Sequence, residues 1–179
     1  MLFKVLDKEG KSCHGGTAAW NLPTKNADGT WTPGEWMPTI TGELVPCENG
    51  YHVCRDVQVL QWLHESIYEA DVDGEIIEQD DKCVARRVRL IRRFDSWNER
   101  TARLYACDCA ERVLPLYEKR HPGDTRPRNS IAVARRYANG QVTMDELAAA
   151  RAAAWDAAGG AAGDAARAAA GAAAGAAER

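Results

Sequence analysis

Ile67-Tyr-Glu-Ala-Asp-Val-Asp-Gly-Glu-Ile-Ile77 is followed within a few residues by Lys82-Cys-Val-Ala-Arg-Arg-Val-Arg-Leu-Ile-Arg-Arg-Phe94. Both segments are rich in β-branched and aromatic residues and alternate apolar with charged positions, which is the period of a half-buried strand. The first brings a run of acids, Glu69, Asp71, Asp73 and Glu75, continued by Glu78, Asp80 and Asp81. The second brings Arg86, Arg87, Arg89, Arg92 and Arg93. Antiparallel pairing sets opposite charges across from each other, each pair contributing about 0.2–1 kcal/mol. The arginines therefore read as one side of a solvated charge ladder. The acids beside them would weaken any attraction to a polyanion.

Working back from this pair, Leu2–Leu6 reads as a first strand and Asp7-Lys-Glu-Gly10 as a turn. Cys13-His-Gly-Gly16 follows, with a permissive backbone. Residues 21–38 hold Pro23, Asn26-Ala-Asp-Gly29, Pro33-Gly34 and Pro38, all turn or breaker signals. Trp20, Trp31 and Trp36 sit in or beside this loop, either pinning it to the core or forming a binding surface. Residues 39–45 are expected to form a short strand that leads into Cys47-Glu-Asn-Gly-Tyr-His-Val-Cys54. Asp56 is expected to cap a short helix carrying Val57, Leu60 and Leu63/His64 on one side.

Working forward, Ser96-Trp-Asn-Glu99 is a capping box that opens a helix to about Glu118. Ala102, Tyr105/Ala106, Cys109, Val113 and Leu116 recur at helical spacing and predict its apolar face. His121-Pro-Gly-Asp124 ends it. Pro127 suits the first turn of a second helix, which Gly140 stops. Thr143-Met-Asp-Glu146 is a second capping box. From Arg151 the chain is alanine-rich with a period of four, and it predicts one long helix continuing the third. Glycines at 159 and 163 would allow self-association along that edge. The expected class is α+β: a small mixed or antiparallel sheet domain over residues 1–95, a helical bundle over 96–147, and an Ala/Gly-rich helical extension over 148–179.

The net charge is −3, divided as −5 over residues 1–95 and +2 over 96–179. Neither half has the basic excess of a nucleic-acid-binding domain. The first residues lack the apolar run of a signal peptide, and no stretch is apolar enough to span a membrane. These features predict a cytoplasmic protein whose six cysteines are reduced.

Three constellations carry chemistry. Cys13, Cys47, His52 and Cys54 make a Cys3His set of the kind zinc takes, with His14 as a substitute ligand. A reduced, hydrogen-bonded cluster is the simpler reading. The same thiols beside His52 also offer a nucleophile–base pair, although no orienting acid or amide is identifiable. Finally, His14-Gly15 after a first strand, Gly50-Tyr51-His52 on a middle strand and Glu69 or Glu75 on a later one resemble the layout of ADP-ribosyltransferase folds. That resemblance implies NAD as substrate, His14 holding a ribose, His52 or its neighbour stacking on nicotinamide, and a glutamate orienting the acceptor.

Two further resemblances span most of the chain. Cys13, Cys47-Glu-Asn-Gly-Tyr-His-Val-Cys54 and Ile67–Glu75 are similar to a domain common in bacteriophage and prophage proteins. Trp97–Leu114, Arg126-Pro-Arg128 and Ala134-Arg-Arg-Tyr-Ala-Asn-Gly140 resemble the all-helical immunity-protein-like domains, the fifth class, of polymorphic toxin systems. Together they imply a phage-encoded accessory protein that binds and neutralises a toxin or host protein in the host cytoplasm, with a protein partner and no catalytic residue named.

Overall fold

The computed structural model describes residues 1–177, with side chains described to residue 160. It has two compact units, Met1–Asn98 and Glu99–Arg179. An antiparallel sheet region is followed by helices, an α+β chain as the patterning predicts.

The first unit is a closed barrel of four strands, β1 (Leu2–Leu6), β4 (Tyr51–Arg55), β5 (Ser66–Glu78) and β6 (Cys83–Arg93), in the order β1-β4-β6-β5. A two-residue hairpin, β2 (Thr24–Lys25) with β3 (Trp31–Thr32), lies within the long loop. The β5–β6 pair forms as its charges dictate. Glu69 sits opposite Arg92, Asp71 opposite Arg89 and Asp73 opposite Arg87. Arg92 Nε lies 2.6 Å from Glu69 Oε2 and Arg89 Nη2 lies 2.9 Å from Asp71 Oδ2, while Arg86 pairs with Glu75. The other face of the same strands packs the interior with Ala70, Cys83, Ala85, Val88 and Leu90, joined by Leu6, Val53 and Trp20.

Two local expectations are corrected. Residues 39–45 form no strand, only an isolated bridge between Val45 and Asn49. Instead the loop climbs β6: the amides of Gly34, Met37 and Ile40 donate to the carbonyls of Leu90, Val88 and Arg86. Three loop residues thus match two strand residues, a spacing that a regular ladder does not have. Asn49 Nδ2 donates to the Thr41 and Glu43 carbonyls and secures the end of the run. Gly34 is needed there, since an added Cβ would fall 2.0 Å from the Asn21 carbonyl oxygen. The helix expected after Asp56 is only a 3-10 turn, Gln58–Gln61, with no side-chain cap. It is held by buried Gln58, which accepts from the Arg55 amide and donates to the Gln79 carbonyl.

The second unit has helices α1 (Glu99–Arg120), α2 (Arg126–Ala138) and α3 (Met144–Ala177). The second capping box forms: the Glu146 amide donates to Thr143 Oγ1 and the Thr143 amide to Glu146 Oε2. Gly140, at φ +69°, ends α2 as expected. Among the described residues the core of this unit is thin, formed by Cys107, Leu114, Leu147, Ala150 and Ala157. Arg128 on Glu118, and Arg135 on both Asp108 and Glu111, join α2 to α1. The Gly159/Gly163 edge predicted for self-association runs beyond the described side chains.

Candidate functional site

β1 pairs with β5 along all five of its residues but with β4 only at Leu2–Arg55 and Phe3–Cys54. Beyond that point the two strands separate. A cavity of about 340 Å³ opens at this seam. Phe3, Lys4 and Val5 all line it, as do His52, Val53 and Cys54. Successive strand residues point to opposite faces, so a cavity touched by three in a row on each strand lies between the strands. Ser12–Gly16 and Cys47 border it on the loop side, and Trp62 and Lys82 close another wall.

Each polar group there has a defined place. Lys4 reaches across the seam, its Nζ donating to the His52 carbonyl at 2.9 Å and lying 4.6 Å from the centre of the Trp20 ring. Burial lowers its ammonium from 10.5 to about 8. His52 Nε2 accepts the Cys47 amide at 3.0 Å, with Cys47 held at φ +68°. Burial, then Lys4 and Lys82, push the His52 pKa down, so it is a neutral acceptor. The Cys13 thiol faces the Val5 carbonyl at 3.9 Å, and the Cys54 thiol donates to the Phe3 carbonyl at 3.5 Å. Burial raises both thiols, Cys54 to about 11. His14 donates from Nε2 to the Trp62 carbonyl at 3.0 Å and stands edge-on to the Trp62 ring. Trp62 is itself fixed by its Nε1 on the Asp81 carbonyl, with Lys82 Nζ over its ring and on Asp81.

The structure therefore gathers Cys13, His14, Cys47, His52 and Cys54 around one cavity. It does not gather them as metal ligands: among the described residues no group of three or more His, Cys, Asp or Glu is placed to hold a metal ion. Their hydrogen bonds explain this, since each thiol or imidazole just described points at its own backbone partner. For the nucleophile–base pair, His52 Nε2 is taken by the Cys47 amide, and burial raises the Cys13 and Cys54 thiols rather than favouring their thiolates. Glu69 and Glu75 lie on β5 in ion pairs with Arg92 and Arg86 and do not line the cavity. No carboxylate lines it at all. The three tryptophans in and beside the long loop do not enter it either: Trp20 is buried in the core, Trp31 faces Lys25 and Trp36 stacks under Arg87 and Arg89. Lys4, Trp62 and Lys82 went unread in the sequence. Lys4 had a signal, since Leu2 and Leu6, two residues either side, share its face and pack on the core.

The helical unit presents an exposed apolar surface. The sequence predicts Ala102, Tyr105/Ala106, Cys109, Val113 and Leu116 as the packing face of α1. The structure buries the other stripe, Cys107 and Leu114, and leaves Val113 and Leu116 59% and 69% exposed, with Tyr105 and Cys109 exposed beside them. The charges decide between the two stripes. Asp108, Glu111 and Glu118, which pair with the arginines of α2, flank Cys107 and Leu114. Trp155 on α3 is 81% exposed.

Residues 92–178 match a family model described as "Imm-5 like putative immunity protein". The match runs from the last residues of β6 through the helices, and the cavity lies outside it. No curated protein and no solved structure matches the chain. Among the described residues, no helix is long and apolar enough to cross a membrane.

Proposed function

We propose that this chain is an accessory binding protein of the immunity type, encoded by a phage or prophage, that neutralises a toxin or host protein by holding it against its helical unit. The similarity of residues 92–178 to an immunity-protein family carries the reading. The surface of that unit supports it. A soluble helix rarely leaves a stripe of large apolar side chains on one face without use, and an exposed tryptophan is the residue type that most often anchors a protein interface. The contact is a surface one, through α1 and Trp155, and requires no bond to be made or broken.

Co-expression with a panel of bacterial toxin domains tests this. The wild-type chain should restore growth against at least one toxin and bind it directly. Leu116→Asp and Trp155→Ala should lose that protection while keeping the wild-type circular dichroism. Protection that survives both substitutions rejects these surfaces, and absence of rescue and of binding across the panel rejects the immunity reading.

A further inference from the structure

The cavity at the barrel seam lies in a unit of net charge −5, yet its walls hold no acid. They hold two lysines and two histidines. Among the described residues Lys4 has no carboxylate partner: its ammonium has one carbonyl and the face of Trp20. A half-buried cation without a counter-charge is costly, and a fold that needed only packing at this position would be served by an apolar side chain. Lys82 has a carboxylate beside it in Asp81, but leaves further N–H groups for another acceptor. The Ser12–Gly16 loop that borders the cavity adds donors. The amides of His14, Gly15 and Gly16 make no hydrogen bond to the protein among the described residues, and Gly15 takes φ +80°. The hydroxyl of Ser12 accepts from Trp20 Nε1, so its own proton is available to a ligand.

We infer that the seam between β1 and β4 is a binding site for a small organic oxyanion, best matched by a phosphate monoester whose apolar body rests against Trp62 and Phe3. The donor supply decides for phosphate. Two ammonium groups, a hydroxyl and free loop amides exceed what the two oxygens of a carboxylate can use, whereas a phosphate group presents three terminal oxygens and up to two charges. The volume is that of a pocket for one small molecule. Trp62 and Phe3 give the ligand an apolar surface, and the Trp62 ring is held in place by its own hydrogen bond to Asp81. This site is independent of the helical surface, so it stands or falls apart from the immunity reading.

Titration calorimetry on the full chain at neutral pH and low salt tests it, with phenyl phosphate as probe and benzoate, phenol and inorganic phosphate as comparisons. Phenyl phosphate should bind at millimolar concentration or below, phenol should not, and the amide resonances of Gly15 and Gly16 should shift on binding. Lys82→Met and Lys4→Met should each weaken binding by about tenfold, as expected for losing one charged donor. Lys25→Met, on the same unit but paired with Asp95 away from the cavity, should bind as wild type. Should Lys4→Met fail to fold, Lys82→Met still decides the matter, since Lys82 is not part of the buried core. No binding of phenyl phosphate, or equal weakening by Lys25→Met, overturns the site. Benzoate binding more tightly than phenyl phosphate overturns the assignment to phosphate.

Discussion

The two units solve the problem of stability in different ways. The barrel buries long-range pairs: Leu6, Leu90, Val84 and Val88 are wholly shielded, and strands distant in sequence close on one another. The helical unit is built from neighbours in sequence, has mostly small buried residues, and has no fully buried residue on α2. A closed barrel fixes the distances across a gap in its wall, so it suits a shaped cavity. Helices joined by a thin core and surface ion pairs leave large apolar residues outside, so they suit contact with another protein. The same chain thus carries a shaped cavity in one unit and exposed large apolar side chains in the other.

One substitution made in each unit gives the sharpest contrast. At Gly50, φ is +150° and an added Cβ would lie 2.3 Å from the fully buried Val84. Gly50→Ala should cost about 3 kcal/mol, through strain and overpacking together. At Gly159 on α3 nothing lies within 4 Å, and Gly159→Ala should stabilise the helix by up to about 1 kcal/mol. Urea unfolding reads both, and two shifts of the same sign would break the contrast. Among the described residues Leu147 is the largest wholly buried side chain of the helical unit, so Leu147→Ala should also cost about 3 kcal/mol. With so few other buried contacts there, hydrogen exchange should rise across α1, α2 and α3 while the barrel strands keep their protection.

Lys4 makes a test of the opposite kind, a substitution that should stabilise. Its fall from 10.5 to about 8 means that carrying the charge costs the folded state roughly 3 kcal/mol. The sign follows from proton counts. Below about pH 8 both states hold the proton and the full cost is present. Above it the folded amine sheds its proton while the unfolded one keeps it until about 10.5, so stability rises with pH. Cys13 and Cys54, raised above 9 by burial, act in the other direction once the unfolded thiols ionise. Cys83 and Cys107, raised likewise, add to that effect, so Lys4 is isolated by the difference between wild type and Lys4→Met. Lys4→Met should gain about 2 kcal/mol at pH 7, after the lost hydrogen bond to His52, and that advantage over wild type should shrink as pH rises through about 8. A variant less stable than wild type would mean that the ammonium supports the barrel and that the cost argument for a ligand is wrong.

What could be read in the sequence was what is local. The β5–β6 ladder announced itself through facing charges, and the helix ends through Pro127, Gly140 and the Thr143 box. Barrel closure was not legible, because the pairing of Leu2–Leu6 with both β4 and β5 joins residues far apart in the chain. The α1 face is ambiguous in the sequence for a specific reason: two apolar stripes satisfy the same period, and only the arginines of α2 choose between them. The Cys13, His14, Cys47, His52 and Cys54 cluster was found by residue type, but its geometry belongs to backbone hydrogen bonds that no spacing rule encodes. Lys4 was hidden because a lysine on a short first strand reads as solvent-facing until the parity set by Leu2 and Leu6 is applied.

The smallest expected effect tests whether the helical unit owes its stability to local terms. Thr143 caps α3 with its hydroxyl, and its own amide is held by Glu146. Thr143→Ala removes the hydroxyl and leaves the amide bond, so about 1 kcal/mol should be lost. Thr143→Ser keeps the oxygen and should recover most of it. In a unit stabilised chiefly by tertiary burial, fraying the first turn of α3 would stay local, and exchange would rise only near residues 144–147. Here Leu147 sits at the end of that same turn and is wholly buried, so the cap and the core are the same structure viewed from two sides. Exchange should therefore rise in α1 and α2 as well, by less than for Leu147→Ala and in the same pattern. A rise confined to the first turn would show that the core holds without its cap, and would bring the helical unit closer to the barrel in the way it is stabilised.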